Sequence, residues 1–473
     1  MRLALHFDLN KTLLMVDPAG GKTESQVLND VLSEICWGNV EMTRAGLDGV
    51  ERSWRWDGRL CLSWNFFPSC FFLFPVVRSP PPPILVRQGP PSPKLDGEHS
   101  KCLLTYSDFL HQEFGDAKGR DNDSMKATRD QLKGSFTEKH QPGRGLRGEL
   151  IALEKALRLP QGATRSPLAE RAGLADRKSW YIIPAFFECV LALKKAEVEF
   201  SLVFRTFGRD LEKVAVEFNA FCEGRHPCFL GVKMDGSDGM PDYRLHFRGG
   251  RKFSNCNVGS FFRDEEGIAL VMGTLQNPHS REEVSTLENK GHLVYRSVGA
   301  VQEAVCSIVC PTQQPVPTSV AGRMDWCNGA AEGALGGLEA QANCCSLALR
   351  DYYPFWRHKL EAPDAGKILP VDISPDSKVW PVMFDDNIGR SDSKEGAHIV
   401  DVRDAATGLP IPFETAVKLY LVRAEPYLAV LKWGLGPDLS NSESIGHDNY
   451  FLSEVLTTLT REEHRSSSAG PEP

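Results

Sequence analysis

Asp8, Thr206 and the pair Asp385-Asp386 each close a short strand-like run: Leu3-Ala4-Leu5-His6-Phe7, residues 198 to 204, and residues 378 to 384. Ligands of open α/β sheets bind beyond the carboxyl ends of the strands. A carboxylate at one strand end, a hydroxyl at a second and two carboxylates at a third make a site for Mg²⁺ and a phosphate. Hard oxygen ligands suit Mg²⁺. The ion offsets the repulsion between carboxylates and phosphate oxygens.

These residues need a scaffold, and the pattern supplies one. Residues 3 to 7 read as a buried strand, and residues 13 to 16 as a second, stopped by Asp17-Pro18 and Gly20-Gly21. Val27, Leu28, Val31, Leu32 and Ile35 put a helix at 24 to 36, capped by Thr23 or Ser25. Residues 115 to 145 are polar and Gly-rich and read as loop. Helices are expected at 147 to 158, 180 to 194 and 211 to about 222, and strands at 198 to 204, 378 to 384 and 397 to 402. Residues 413 to 433 fit a helix broken near Pro426, and the tail from Arg461 reads as disordered. The expected fold is α/β: a mostly parallel sheet with helices on both faces and inserted cap-like segments.

In this setting the chain resembles the haloacid dehalogenase-like (HAD-like) superfamily. Its first motif, a strand followed by Asp-x-Asp-x-Thr or -Val, is matched by Leu3 to Thr12, with Asp8-Leu9-Asn10-Lys11-Thr12. Its second, a strand ending in Ser or Thr, is matched by Leu202-Val203-Phe204-Arg205-Thr206. A Lys upstream of the fourth motif is assigned to Lys367, with Lys359 and Lys378 competing. The acidic pair of the fourth is Asp385-Asp386, after Met383-Phe384. The resemblance implies covalent catalysis, Asp8 attacking phosphorus as carboxylate nucleophiles do. Thr206 would hydrogen-bond a phosphoryl oxygen, and Lys367 would balance the charge. Mg²⁺ would be held by Asp8, Asp385, Asp386 and the backbone carbonyl of Asn10. The strand 13–16 with the turn at 17–21 would be the family's flap, closing over the site.

Asn10 departs from the pattern. The family's phosphatases have Asp there, which protonates the leaving group and later activates water. An amide has no proton to give near neutral pH. Loss of general acid–base help is worth roughly 10²–10⁴-fold. Two functions follow: a Mg²⁺-dependent, phosphatase-like hydrolase of weak turnover, or an inactive relative that binds a phosphorylated ligand. Under either, the partner is a phosphorylated small molecule or protein.

The composition narrows the remaining classes. The 473 residues are 41% hydrophobic and 25% charged, with a formal net charge of -8 and no run of five basic residues, which argues against nucleic acid. Thirteen cysteines include no C-x-x-C, so reduced thiols in a cytoplasmic protein are expected. A membrane span over residues 60 to 77 is disfavoured by Pro68, Pro75 and Asn65. Gly21-Lys22-Thr23 lacks the first P-loop glycine, since Val16 stands there. Asp235, Asp238 and Asp242 resemble a calcium loop without its distal Glu, so a Gly-rich turn is expected. His6 reads as a core or second-layer histidine. Arg205 and Arg209 could greet an anionic substrate or lie on a solvated surface. Residues 1–56 then start the core with its flap, and 57–100 form a Pro/Phe-rich insert with the codon signature of a translated intron end. Residues 101–309 continue the core with cap-like insertions, 310–347 form an Ala/Gly/Cys-rich linker, 348–460 complete the core, and 461–473 are the tail.

Overall fold

The sheet starts from residues 2 to 8, whose near-continuous apolar sequence suits a strand covered on both faces. The computed structural model describes residues 2–18, 20–45, 49–61, 84–86, 102–114, 123–247, 256–310, 344–389, 399–432 and 449–468. The strands in chain order are β1 (Arg2–Asp8), β2 (Cys36–Ala45), β3 (Gly49–Cys61), β4 (Ile84–Val86), β5 (Cys102–Thr105), β6 (Phe200–Thr206), β7 (Arg225–His226) and β8 (Phe229–Leu230). They continue as β9 (Val258–Asp264), β10 (Gly267–Met272), β11 (Val294–Tyr295), β12 (Ser346–Arg350), β13 (Lys367–Val371), β14 (Val379–Asp385), β15 (Val400–Asp404) and β16 (Leu421–Arg423).

Two compact units divide the chain: Met1–Leu14, Leu159–Ala424 and Phe451–Pro473 form one, Met15–Arg158 and Glu425–Tyr450 the other. The first boundary therefore falls at residue 14, well before the insert expected from residue 57. Residues up to Arg158, part of the 101–309 stretch expected to continue the core with cap-like insertions, fall in the second unit.

The first unit is α/β. Its eight-stranded sheet has the order β11-β10-β9-β12-β6-β1-β14-β16. Strands β9 through β16 in that order pair in parallel, and β10 and β11 add antiparallel strands at one edge. Side chains alternate between faces along a strand. Ala4, Val203, Leu347 and Leu349 pack on Val301, Val305 and Ile308 of the helix Val298–Val309. Phe7, Phe204 and Phe384 face the other way. They meet Phe186 of the helix Pro184–Lys195, Phe218 of the helix Leu211–Cys222, and Phe451 of the helix Tyr450–Ser468. Each buried Phe contributes about 2–3 kcal/mol over an exposed one. Helices thus cover both faces, as expected.

Several expected elements differ. Residues 13 to 16 are not a strand: Leu9 O accepts the N–H of Thr12, Leu13 and Leu14 at 3.3, 2.8 and 2.8 Å, a helical turn after β1. Leu9 and Leu13, four apart, bury on its inner side. The flap built on that strand is accordingly absent from those residues. The helix expected over 413 to 433 is two, Phe413–Leu419 and Pro426–Leu431, with β16 between them. The tail expected to be disordered from Arg461 is helix through Ser468, which fits its Arg and Glu residues. Strand β15, offset from the expected 397–402, pairs with β13 outside the main sheet.

The second unit holds a four-stranded sheet, β4-β3-β2-β5, and the helix Glu24–Ile35. Thr23 and Gln26 cap this helix reciprocally. Trp54, Tyr106 and Phe136 cluster, with Tyr106 and Phe136 stacked at 4.8 Å. Asp30, buried, accepts from Lys22 at 3.0 Å and pairs with Lys133 at 2.9 Å. Residues 123 to 134, expected as loop, form the helix Asp123–Gly134. Its buried side carries Arg129 and Lys133 in place of apolar residues. Most of the 57–100 insert and of the 310–347 linker lies outside the described residues, as does most of the 60–77 segment. No helix among the described residues is long and apolar enough to cross a membrane.

Candidate active site

The order of the sheet makes β1 its switch point: from β1 the chain builds outward through β6 on one side and β14 on the other. Such a point leaves a crevice at the carboxyl ends of the strands. Asp8 ends β1, Thr206 ends β6, and Asp385 ends β14 with Asp386 next. The register sets Phe7 beside Phe384 and Asp8 beside Arg205, so the three ends lie level.

Lys367 enters from outside the main sheet. It opens β13, where its N–H donates to Ile399 O at 2.6 Å. Its ammonium donates to Asp8 Oδ1 and, at 2.7 Å, to Asp385 Oδ2. Of the competing lysines, Lys359 pairs with Glu265 instead. Burial disfavours the Lys367 ammonium, but the carboxylates of Asp385, Asp8 and Asp351 outweigh it and its pKa rises. Burial raises the Asp8 pKa well above the carboxylate range. Lys367 opposes that rise, while Asp385 and Asp386 add to it.

Oxygen atoms of Asp8, Asp385 and Asp386 lie within 4.8 Å of one another, all three side chains being buried. Lys11 Nζ stands 3.3 Å from Asp386 Oδ2. Three carboxyl groups thus crowd two ammonium groups, and the mutual repulsion of the carboxylates adds to the burial that raises the Asp8 pKa. The three carboxyl groups, an oxygen-only donor set, could hold a hard metal cation.

Thr206 Oγ1 donates to Asn10 Oδ1 at 3.5 Å and accepts from Gly208 N–H at 2.9 Å. Asn10 and Thr206, 196 residues apart in sequence, therefore share one corner of the site. Two further participants went unassigned in the sequence. Thr12 Oγ1 accepts the N–H of Asp386 at 3.2 Å, and Lys11 pairs with that carboxylate, so the turn after β1 and the end of β14 are tied together. Thr12 fills the Thr position of the first motif, and Lys11 stands beside it, three residues after Asp8.

Arg205 does not greet a substrate. It is buried, Nε donating to Asp351 Oδ2 at 3.0 Å and Nη2 to both Asp351 Oδ1 and Ile368 O, the latter at 3.0 Å. Asp351 carries no motif, and only the fold brings it there. Arg209 is exposed. His6, two residues before Asp8 and on its face of the strand, is buried; burial and then Arg205 hold its imidazole well below 6.5. The residues 235–242 form the expected turn, Asp235 bridging to Asp242, with Gly236 and Gly239 at positive φ. The cysteines with described side chains are free thiols.

Phe207 follows Thr206 directly, and Lys367 Nζ lies 5.2 Å from its ring centroid. Trp356 stacks on Phe207 at 5.4 Å and 18°, and Tyr353 meets it edge-on at 5.6 Å. All three keep part of their surface exposed. Comparison of the chain with protein-family models, curated proteins and solved structures finds no match.

Proposed function

We propose that this chain is a HAD-like, Mg²⁺-dependent hydrolase of phosphate monoesters with Asp8 as nucleophile and slow turnover. The observation that carries the reading is the convergence of Asp8, Asp385, Asp386 and Lys367 at the sheet's switch point, with Thr206 and Asn10 beside them. Asp8, Asp385 and Asp386 would hold the ion, with the Asn10 carbonyl as a further donor. Bound there, Mg²⁺ would neutralise phosphate oxygens and orient the phosphorus. Lys367 would hold Asp8 in place and, together with the bound cation, favour its ionised form against the burial that raises its pKa. Thr206 would turn its hydroxyl from Asn10 Oδ1 to donate to a phosphoryl oxygen. Asp8 attacks phosphorus, the leaving oxygen departs with its electron pair, and water then hydrolyses the aspartyl-phosphate.

Asn10 favours a second reading, a protein that binds a phosphorylated small molecule or protein through the same pocket. Its amide accepts from Thr206 and has no proton to give a leaving group. The test is Mg²⁺-dependent hydrolysis of 4-nitrophenyl phosphate by wild type, Asp8→Ala and Asn10→Asp. Turnover in wild type that Asp8→Ala abolishes supports the hydrolase. Activity in Asn10→Asp alone supports the binder. Turnover that survives Asp8→Ala rules out Asp8 as nucleophile.

A further inference from the structure

We infer that the substrate class of this site is the aryl phosphate, a phosphate monoester of a phenol, recognised by the aromatic wall of Phe207, Trp356 and Tyr353. This rests on the Asp8 reading above. Two independent observations converge on it. First, on that reading Asn10 fills the position that would protonate the leaving group, and its amide, which accepts from Thr206, has no proton to give. The leaving oxygen must then carry off its charge unaided. A phenol, with a pKa of about 10, does this far more readily than an aliphatic alcohol. Second, the wall stands beside the phosphoryl site. Phe207 is joined to Thr206 and carries Lys367 over its ring at 5.2 Å. Trp356 lies nearly parallel to it, and Tyr353 stands 6.0 Å from Trp356 at 63°. These partly exposed rings offer a flat substrate both a face to stack on and an edge to meet.

The step balances without a further reactant. The Asp8 carboxylate forms an O–P bond as the P–O(aryl) bond breaks. The phenoxide takes the electron pair and then a proton from water. A second water attacks the aspartyl-phosphate, releasing phosphate and regenerating Asp8.

The experiment compares kcat/KM with Mg²⁺ for 1-naphthyl phosphate, glycerol 3-phosphate and acetyl phosphate. Acetyl phosphate has a good leaving group and no ring. We expect naphthyl to exceed glycerol phosphate at least 100-fold, and Asn10→Asp to narrow that gap. Trp356→Leu and, separately, Phe207→Leu should lower the naphthyl-to-acetyl ratio about 3- to 10-fold. Acetyl phosphate turnover reports that each variant still folds. Naphthyl and glycerol phosphates turned over alike, or a ratio unmoved in both variants, overturns the aryl preference and leaves the Asp8 reading standing. Turnover of neither acetyl nor naphthyl phosphate overturns both. A phosphotyrosine peptide preferred to naphthyl phosphate assigns the phenol to a protein, and the reverse to a small molecule; either supports the shared chemistry.

Discussion

Replacing Arg205 by Met removes one partner of an ion pair whose side chains are 1% and 2% exposed. At 3.0 Å between Nε and Asp351 Oδ2, and an effective dielectric near 20, the charge pair is worth about 5.5 kcal/mol in gross Coulomb energy. The net cost of breaking a buried pair is smaller, roughly 3–5 kcal/mol, because the substitution also removes the desolvation cost of Arg205 while leaving Asp351 buried without its partner. That is a large share of a stability of about 5–15 kcal/mol. In urea, with m near 3 kcal/mol/M, the midpoint should fall by about 1 M or more. Arg205→Met/Asp351→Leu, which leaves no orphaned charge, should recover about 2 kcal/mol or more of the loss. Far-UV circular dichroism in urea measures all four corners of the cycle, and phosphatase kinetics run beside it. A stability change under about 1 kcal/mol together with a raised KM would refute the reasoning and return Arg205 to the substrate.

Three further outcomes follow from particular contacts. A methyl at Gly208 would lie 3.0 Å from Asp210 Oδ2, 3.2 Å from Thr206 Oγ1 and 3.7 Å from Asn10 Oδ1, so Gly208→Ala should cut turnover about 10- to 100-fold in steady-state kinetics and lower the urea midpoint by pressing on the buried Asp210. Thr23→Ala removes the capping box of the helix Glu24–Ile35 and should cost about 1 kcal/mol, read from urea unfolding. Burial raises the Glu217 pKa above 4.5, with hydrogen bonds from His226 and the Ile182 N–H opposing it. Stability held by its protonated form is present below 4.5 and is lost as pH rises through the raised folded value, so Glu217→Gln should gain on wild type across that window when both are unfolded in urea at stepped pH.

The strand ends that build the site were legible because a buried parallel strand is a dense apolar run, and the polar residue that stops it stands out. This holds for Asp8, Thr206 and Asp385-Asp386. Lys367 was legible only through its place in a motif order, since a lysine opening a strand has no signature of its own. Apolar runs misled where burial came from a turn: Leu13 to Val16 looked like a strand, yet the Leu9 carbonyl gathers three N–H groups there. Strand β16 was lost because three residues between two helical stretches are too few for a period of two to register. The helix Asp123–Gly134 was missed because its buried side is made by Arg129 and Lys133, which an apolar period cannot see. Asp351 and the rings of Trp356 and Tyr353 reach the site through long-range pairing of β6 with β12, which no local pattern encodes.

The central claim is that Asp8 attacks phosphorus. Acid quench of the protein turning over 4-nitrophenyl phosphate with Mg²⁺, followed by borohydride reduction and peptide mass spectrometry, tests it most directly. Reduction of an aspartyl-phosphate should leave homoserine at position 8. Turnover with residue 8 unmodified, or with the label on another carboxylate, would contradict the account.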